Sequence, residues 1–232
     1  MESNKSLLEK NANELSQKIK TIASLHNITK DLKICIASKY ASIEDIQTLH
    51  EYGYTIFGEN KVQDALKKID SLQHLKKIQW HFIGHLQKNK VKKVVENFDT
   101  IQSVDSIDLL EIINKKCIDL NKKITCFLQI NTANDEKKHG FKYETLLEKK
   151  EKIFSFSNIH IKGIMLIAPY SEDKKKLKNI FDKTYLLFET LKNEFNISEL
   201  SMGMSSDFET AIPSGSTMIR IGRTLFQGAK GE

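Results

Sequence analysis

A lysine directly after an apolar run is the first residue in this sequence that could do covalent chemistry. Lys39 follows the apolar residues 34–37, with only Ser38 between them. If that run is a strand, Lys39 projects from a low-dielectric strand end, where burial disfavours the ammonium and leaves an amine able to form a Schiff base. Lysines just past a strand are also ordinary surface residues, so Lys39 alone leaves both interpretations open.

Two other apolar runs end in short polar segments that contain glycine. Gly58, Glu59 and Asn60 follow the second run, and Gly84 and His85 follow the third. Glycine allows sharp turns and a close approach of the backbone to a ligand. Glu59 or Asn60 could instead cap the next helix. His85 could be a general acid or base, or, since no partner carboxylate is evident, a polar loop residue.

The segment near the C-terminus carries the residue types that bind a phosphate. Ser201 and Ser205 lie in one small-residue stretch, and Gly222 and Arg223 lie in a later one. Small side chains, free backbone N–H groups and a helix N-terminus supply donors to an anion. Arg220 and Arg223 are the only two arginines. In a chain whose other basic charges are lysines, they suggest a need for the planar, permanently charged guanidinium group.

A repeating strand-then-helix pattern places these residues. Apolar β-prone runs alternate with helical stretches that have apolar residues three and four positions apart. The predicted strands are 32–37, 54–57, 79–83, 100–103, 124–130, 159–167, 199–202 and 217–221. The predicted helices are 5–26, 43–51, 61–75, 90–97, 106–120, 143–154 and 172–195. Eight such units predict an α/β fold, a (β/α)8 TIM-type barrel with its chemistry at the carboxyl ends of the strands, and a doubly wound open sheet is the alternative.

The chain shows no internal division. No linker rich in Pro, Ser or Gly and no break in composition interrupts it, so we predict one domain over residues 1–232. Residues 1–30 are expected to form a leading helix packed on the barrel. Ser42, with Asp45 three positions later, resembles a helix start.

Charge and cysteine content argue against several classes of function. The net charge of +6 comes from lysine pairs spread along the chain, whereas a nucleic-acid surface concentrates Lys and Arg on one face. Cys35, Cys117 and Cys126 lie in or beside apolar runs and are expected to be buried thiols, and no Cys/His cluster has metal-ligand spacing. Without a signal peptide or a membrane span, a reducing cytoplasmic location is expected.

Seven segments in this order resemble one known family, the pyridoxal phosphate homeostasis proteins. They are Ala37-Ser38-Lys39, Phe57-Gly58-Glu59-Asn60, residues 80–90, residues 101–105, Gln129-Ile130-Asn131, residues 200–208 and residues 215–222. The resemblance implies a barrel similar to the N-terminal domain of alanine racemase, with pyridoxal 5′-phosphate (PLP) held as an aldimine.

The resemblance also implies a role for each of six residues. Lys39 is the Schiff-base lysine, and Asn60 lies near the cofactor ring. Arg220 faces the pyridine nitrogen and, as a permanent donor, keeps that nitrogen neutral. The phosphate is held by Ser201 and by the backbone around Gly222 and Arg223.

Two departures from the family pattern affect the phosphate contacts. Many relatives have Thr where this chain has Arg223, and one more residue than usual precedes Gly228. Arg223 either contacts the phosphate or points to solvent. Lys138 matches a loop lysine common in the family, and it either helps to pass PLP onward or is a solvated loop charge.

The resemblance favours a PLP carrier over an enzyme. Related racemases complete their site with a second domain, whereas the barrel predicted here ends near Phe226. We therefore expect a monomer that buffers or delivers PLP, with PLP-requiring apo-enzymes as partners and without robust catalysis. The alternatives are a weakly active PLP-dependent racemase or lyase, with His85 as the proton carrier, and a basic nucleic-acid-binding protein.

Overall fold

Eight parallel strands close into a barrel in chain order. The computed structural model describes residues 4–132 and 139–228. The strands are β1 (Lys33–Ala37), β2 (Ile56–Glu59), β3 (Gln79–Phe82), β4 (Thr100–Val104), β5 (Ile124–Ile130), β6 (Ile159–Leu166), β7 (Glu199–Met204) and β8 (Met218–Ile221). Each strand pairs with the next, and β8 pairs with β1. The predicted TIM-type barrel is confirmed, and this closure excludes the open-sheet alternative.

Helices surround the barrel on its outer face. They are α1 (Asn4–Leu25), α2 (Ile43–Glu51), α3 (Val62–Ser71), α4 (Val91–Asn97), α5 (Ile107–Asp119), α6 (Tyr143–Glu148), α7 (Lys150–Phe154), α8 (Lys174–Phe195), α9 (Phe208–Ala211) and α10 (Arg223–Phe226). The helix predicted at 143–154 is in fact two, because Lys149 leaves helical geometry with φ −105° and ψ 10°. The capping box predicted at α2 is present, with reciprocal hydrogen bonds between Ser42 and Asp45.

The barrel has two separate apolar cores. The larger core lies between the strands and the helices, and the smaller one fills the barrel interior with Cys35, Ile56, Phe127, Met165 and Met218. All three cysteines are buried and free, as predicted, and burial raises the pKa of the Cys35 thiol to about 12. Within the described part of the chain, no helix is both long and apolar enough to cross a membrane.

Helix α1 packs against both α2 and α10. Its buried residues Leu8, Ala12, Leu15 and Ile22 recur at helical spacing, so one face of the helix is apolar. The Asn11 side-chain amide donates hydrogen bonds of 2.8 and 3.1 Å to the carbonyl oxygens of Leu225 and Gln227. The leading helix therefore fixes the segment that directly follows β8.

Candidate functional site

A cleft of about 450 Å³ opens at the carboxyl ends of the strands. Five of the six predicted site residues line it: Lys39, Asn60, Arg220, Gly222 and Arg223. They come from the ends of β1, β2 and β8, and Cys35 on β1 pairs with Arg220 on β8. Barrel closure therefore brings together residues that are about 180 positions apart in the sequence.

Lys39 stands at the exposed rim of this cleft. It lies two residues beyond the end of β1, and its Nζ atom is 4.5 Å from the centre of the Tyr40 ring, a cation–π contact. The side chain is exposed, so the expectation that a buried strand end surrounds this amine is wrong. Water and small amines can therefore reach the Lys39 nitrogen.

A buried ion pair holds the peptide that precedes Lys39. The Ser38 hydroxyl donates to Glu59 Oε1 at 2.8 Å, and Lys68 Nζ donates both to Glu59 Oε1 at 2.8 Å and to the Ser38 carbonyl at 2.6 Å. Only 1% of the Glu59 side chain and 12% of the Lys68 side chain is exposed. The alternative role of Glu59 or Asn60 as a helix cap is wrong, because the N-cap of α3 is Lys61.

Arg220 is buried and makes three hydrogen bonds to the barrel wall. One terminal nitrogen donates to the carbonyl of Ser201 at 2.9 Å and to its hydroxyl at 2.8 Å, and the other donates to the carbonyl of Leu166 at 2.8 Å. Burial lowers the pKa of the guanidinium, and the nearby Asp207 carboxylate opposes that shift. Arginine nevertheless stays charged in proteins, so a fixed cation lies at the floor of the cleft.

Ser201 lies behind Arg220, on the inner side of the barrel. Its side chain is fully buried, accepts the bond from Arg220 and donates to Gln102 Oε1 at 2.7 Å. The implied contact between Ser201 and a phosphate in the cleft is therefore wrong, because both of its hydrogen bonds are made inside the barrel.

Ser205 occupies the place at the cleft that was expected for Ser201. It lines the cleft, and its hydroxyl oxygen lies 3.3 Å from the backbone nitrogens of Gly222 and Thr224. These contacts are long for hydrogen bonds, so an anion could replace the serine oxygen as their acceptor. Arg223 is exposed at the same edge, which keeps both of its expected roles open.

Two glycines, Gly222 and Gly84, allow the loops around the cleft to pack closely. A Cβ atom on Gly222 would lie 3.1 Å from the carbonyl oxygen of Ala37, so the loop after β8 presses on the end of β1. A Cβ atom on Gly84 would lie 2.3 Å from the carbonyl oxygen of Asn60. The loop after β3 therefore supports the backbone of Asn60, whose side chain is exposed.

A second cavity of about 390 Å³ adjoins the cleft and shares Asn60, Ile83 and Ile167 with it. It contains His85 and His139, whose Nδ1 atoms each lie 3.4 Å from Asp105 Oδ2. This carboxylate partner of His85 could not be predicted from the sequence, because Asp105 follows a different strand. Lys138, which precedes His139, lies outside the described residues.

The described part of the chain also contains a cluster with ligand atoms close enough to bind a metal ion, formed by His85, Asp105 and His139. The two imidazole rings stack with their centres 3.7 Å apart and their planes 17° apart. A nitrogen lone pair lies in the plane of its ring, so nearly parallel rings do not direct their lone pairs at one ion. As it stands, the arrangement favours stacking over coordination.

Comparison with known proteins gives consistent results. A model of the family described as alanine racemase, N-terminal domain, matches residues 4–230. The pyridoxal phosphate homeostasis protein of Helicobacter pylori (strain ATCC 700392 / 26695) is 39% identical over 213 residues, which cover 91% of this chain and 93% of that protein. The protein of the same name from Aquifex aeolicus (strain VF5) is 38% identical over 84% of this chain and 86% of its own length.

Solved structures show the same fold. PipY of Synechococcus elongatus PCC7942, solved with PLP bound, matches with a TM-score of 0.80 and 31% identity over 90% of this chain and 99% of that chain. Alanine racemase of Clostridium difficile 630 matches with a TM-score of 0.76 and 16% identity, and the alignment covers 94% of this chain but 56% of the racemase. At that identity the racemase shows a shared fold alone.

Proposed function

This chain belongs to the pyridoxal phosphate homeostasis protein family, and from that premise we propose that it binds PLP in the cleft at the carboxyl ends of β1 and β8 and buffers or delivers it within the cell. The observation that carries the proposal is the composition of the cleft. A lysine amine follows β1, and a buried arginine and two backbone N–H groups come from the neighbouring strand β8 and the segment after it, in a volume typical of small-molecule sites.

Each polar group of the cleft matches one part of the cofactor. The Lys39 amine condenses with the PLP aldehyde, which forms a C=N bond and releases one water molecule. The backbone N–H groups of Gly222 and Thr224, with the Ser205 hydroxyl, hold the phosphate. Arg220 donates to the ring nitrogen, and Asn60 borders the ring. When bound, PLP supplies a reactive carbonyl and an electron sink.

The exposure of Lys39 supports a role in exchange more than one in turnover. Enzymes that use reactive cofactors expel water when their sites close, whereas this amine stands at an open rim. Water can hydrolyse the C=N bond there and return free PLP. Relatives of matching length carry the name homeostasis protein. We therefore propose a carrier without robust catalysis, which acts as a monomer in the cytoplasm and passes PLP to apo-enzymes.

Borohydride trapping tests the site. Incubation of the full chain with PLP, reduction with sodium borohydride, digestion and mass spectrometry should find the cofactor fixed on Lys39. The Lys39→Ala variant should carry no label. Lys61→Ala is the matched control, since Lys61 is an exposed lysine beside Asn60, and it should be labelled like the wild type. A label on another lysine, or none on the wild type, would refute the assignment.

Amino-acid turnover separates the carrier from a weak enzyme. The adjoining cavity places His85 and Asp105 next to the cleft, and a histidine paired with a carboxylate is a competent proton carrier. If the PLP-loaded protein racemises or decarboxylates amino acids, and Lys39→Ala and His85→Gln both abolish this activity, the enzyme is the correct function. We expect no such turnover, and we expect PLP release to an apo-enzyme in the same preparation.

A further inference from the structure

A chain of four buried side chains runs from the cleft into the barrel. Arg220 donates to the Ser201 hydroxyl at 2.8 Å, Ser201 and Gln102 Oε1 are 2.7 Å apart, and Gln102 Nε2 and His81 Nδ1 are 2.7 Å apart. Their exposed fractions are 4% for Arg220, 0% for Ser201 and Gln102, and 3% for His81. Side chains this deeply buried depend on each other for their hydrogen bonds.

The direction of every bond in this chain is determined from the arginine end. Arginine can only donate, so the Ser201 oxygen accepts from it and the Ser201 hydrogen points to Gln102. The Gln102 carbonyl oxygen must therefore face Ser201, which turns its NH2 group toward His81. His81 Nδ1 must then accept, which requires a neutral ring. Burial provides this, because it lowers the pKa of His81 to about 3.

From this geometry we propose that Gln102 is a positioning residue for the cofactor, acting through Ser201 on Arg220. By accepting the hydroxyl hydrogen, Gln102 leaves a lone pair of Ser201 directed at the guanidinium. Together with the carbonyl oxygens of Ser201 and Leu166, this lone pair fixes the plane of the Arg220 guanidinium. The inference rests on the proposed PLP site, where the guanidinium would meet the ring nitrogen and keep that nitrogen unprotonated.

At position 102, glutamate can replace glutamine but leucine cannot, although the three side chains are similar in size. Leucine offers no acceptor, so the Ser201 hydroxyl would turn to another partner and meet Arg220 with its hydrogen. Buried groups that lose a partner in this way carry the full cost of desolvation. Glutamate keeps an oxygen for Ser201, and His81 can donate to its second oxygen by changing tautomer.

Nitrogen NMR of bound cofactor tests the proposal. PLP labelled with 15N in the ring is bound to the wild type and to Gln102→Leu. The 15N chemical shift is then followed from about pH 8 to about pH 6, because it changes when the ring nitrogen is protonated. The wild-type signal should stay at its unprotonated position. In Gln102→Leu the signal should move with pH, and PLP affinity should fall about tenfold, as expected for a weakened charge-assisted hydrogen bond.

Two further variants separate positioning from general disruption. Gln102→Glu should restore the wild-type 15N behaviour, because it keeps the acceptor. Ser205→Ala, on the phosphate side of the cleft, should weaken PLP binding and leave the ring nitrogen unprotonated. If Gln102→Leu does not fold, Ser201→Ala removes the same lone pair with a smaller change in volume and should show the same pH-dependent signal.

The outcomes distinguish this inference from the function on which it rests. If the wild type binds no PLP, the proposed function fails. If the wild type binds PLP and both Gln102→Leu and Ser201→Ala keep its pH-independent signal, only the positioning role fails. A pH-dependent signal in Ser205→Ala would also overturn it, since any loss of affinity would then produce the same change.

Discussion

The protein should lose stability in mild acid, because there only the unfolded chain protonates His81. Its ring is buried in the barrel interior, edge-on to Phe127 with centres 6.5 Å apart. Burial lowers its pKa from 6.5 to about 3, and the positive charges of Lys162 and Lys33 contribute to this shift, although Glu199 opposes it. The folded chain thus keeps His81 neutral at a pH at which the unfolded chain protonates it.

The magnitude follows from linkage between folding and proton binding. Between pH 6.5 and about pH 3 the unfolded state binds the extra proton, so stability falls as the pH falls. Each pH unit below the unfolded value costs about 1.4 kcal/mol, and pH 5 therefore costs about 2 kcal/mol. This figure depends only on the folded pKa lying well below 5. The acidic residues with lowered pKa, such as Glu199, remain charged at that pH.

Urea unfolding at pH 7 and pH 5 measures this effect. In the His81→Asn variant, the Oδ1 atom of the introduced asparagine can still accept from Gln102, but the side chain cannot titrate. Between pH 7 and pH 5 this variant should therefore lose about 2 kcal/mol less unfolding free energy than the wild type. His74→Asn is the control, because His74 is exposed, and it should behave like the wild type. Equal losses in His81→Asn and the wild type would refute the assignment of a buried neutral imidazole.

Two further predictions concern the packing around the site. Lys68→Met leaves the Glu59 carboxylate buried without its cation, so urea unfolding should show a loss of about 3–5 kcal/mol, whereas Lys67→Met on the exposed side of α3 should change little. Gly163→Ala would place a Cβ atom 1.9 Å from the carbonyl oxygen of Glu199, so β6 and β7 must separate. We expect that variant to be largely unfolded by circular dichroism, and a native spectrum with an unchanged melting temperature would contradict this packing.

The alternation of strands and helices was predictable because each barrel strand is buried on both faces and each helix on one. Strand ends were harder to place, and two errors at the site share that cause. Strand β7 extends to Met204 and β2 to Glu59, each two residues beyond its predicted end. Ser201 is therefore well inside its strand, where its side chain faces the interior, and Glu59 is a buried strand residue instead of a cap.

Partners that are distant in the sequence could not be predicted from local patterns. Gln102 and Ser201 are 99 positions apart, and the carboxylate beside His85 comes from the end of another strand. Periodicity reports which face of an element is apolar, but it does not report which polar side chains meet inside a closed barrel. The exposure of Lys39 was missed for a similar reason, since it depends on how the turn after β1 leaves the barrel.

The pairing of β1 with β8 has a consequence for how the protein is made. A nascent chain that has completed seven strands already holds Lys39, but it has neither Arg220 nor the amide donors beside Gly222. A cofactor bonded both to Lys39 and to these β8 groups would link β1 to β8, the two strands whose pairing closes the barrel. At a free concentration one hundred times its dissociation constant, such a ligand adds about 3 kcal/mol to the stability of the closed form. The supply of PLP during synthesis would thereby affect how stable the newly closed barrel is.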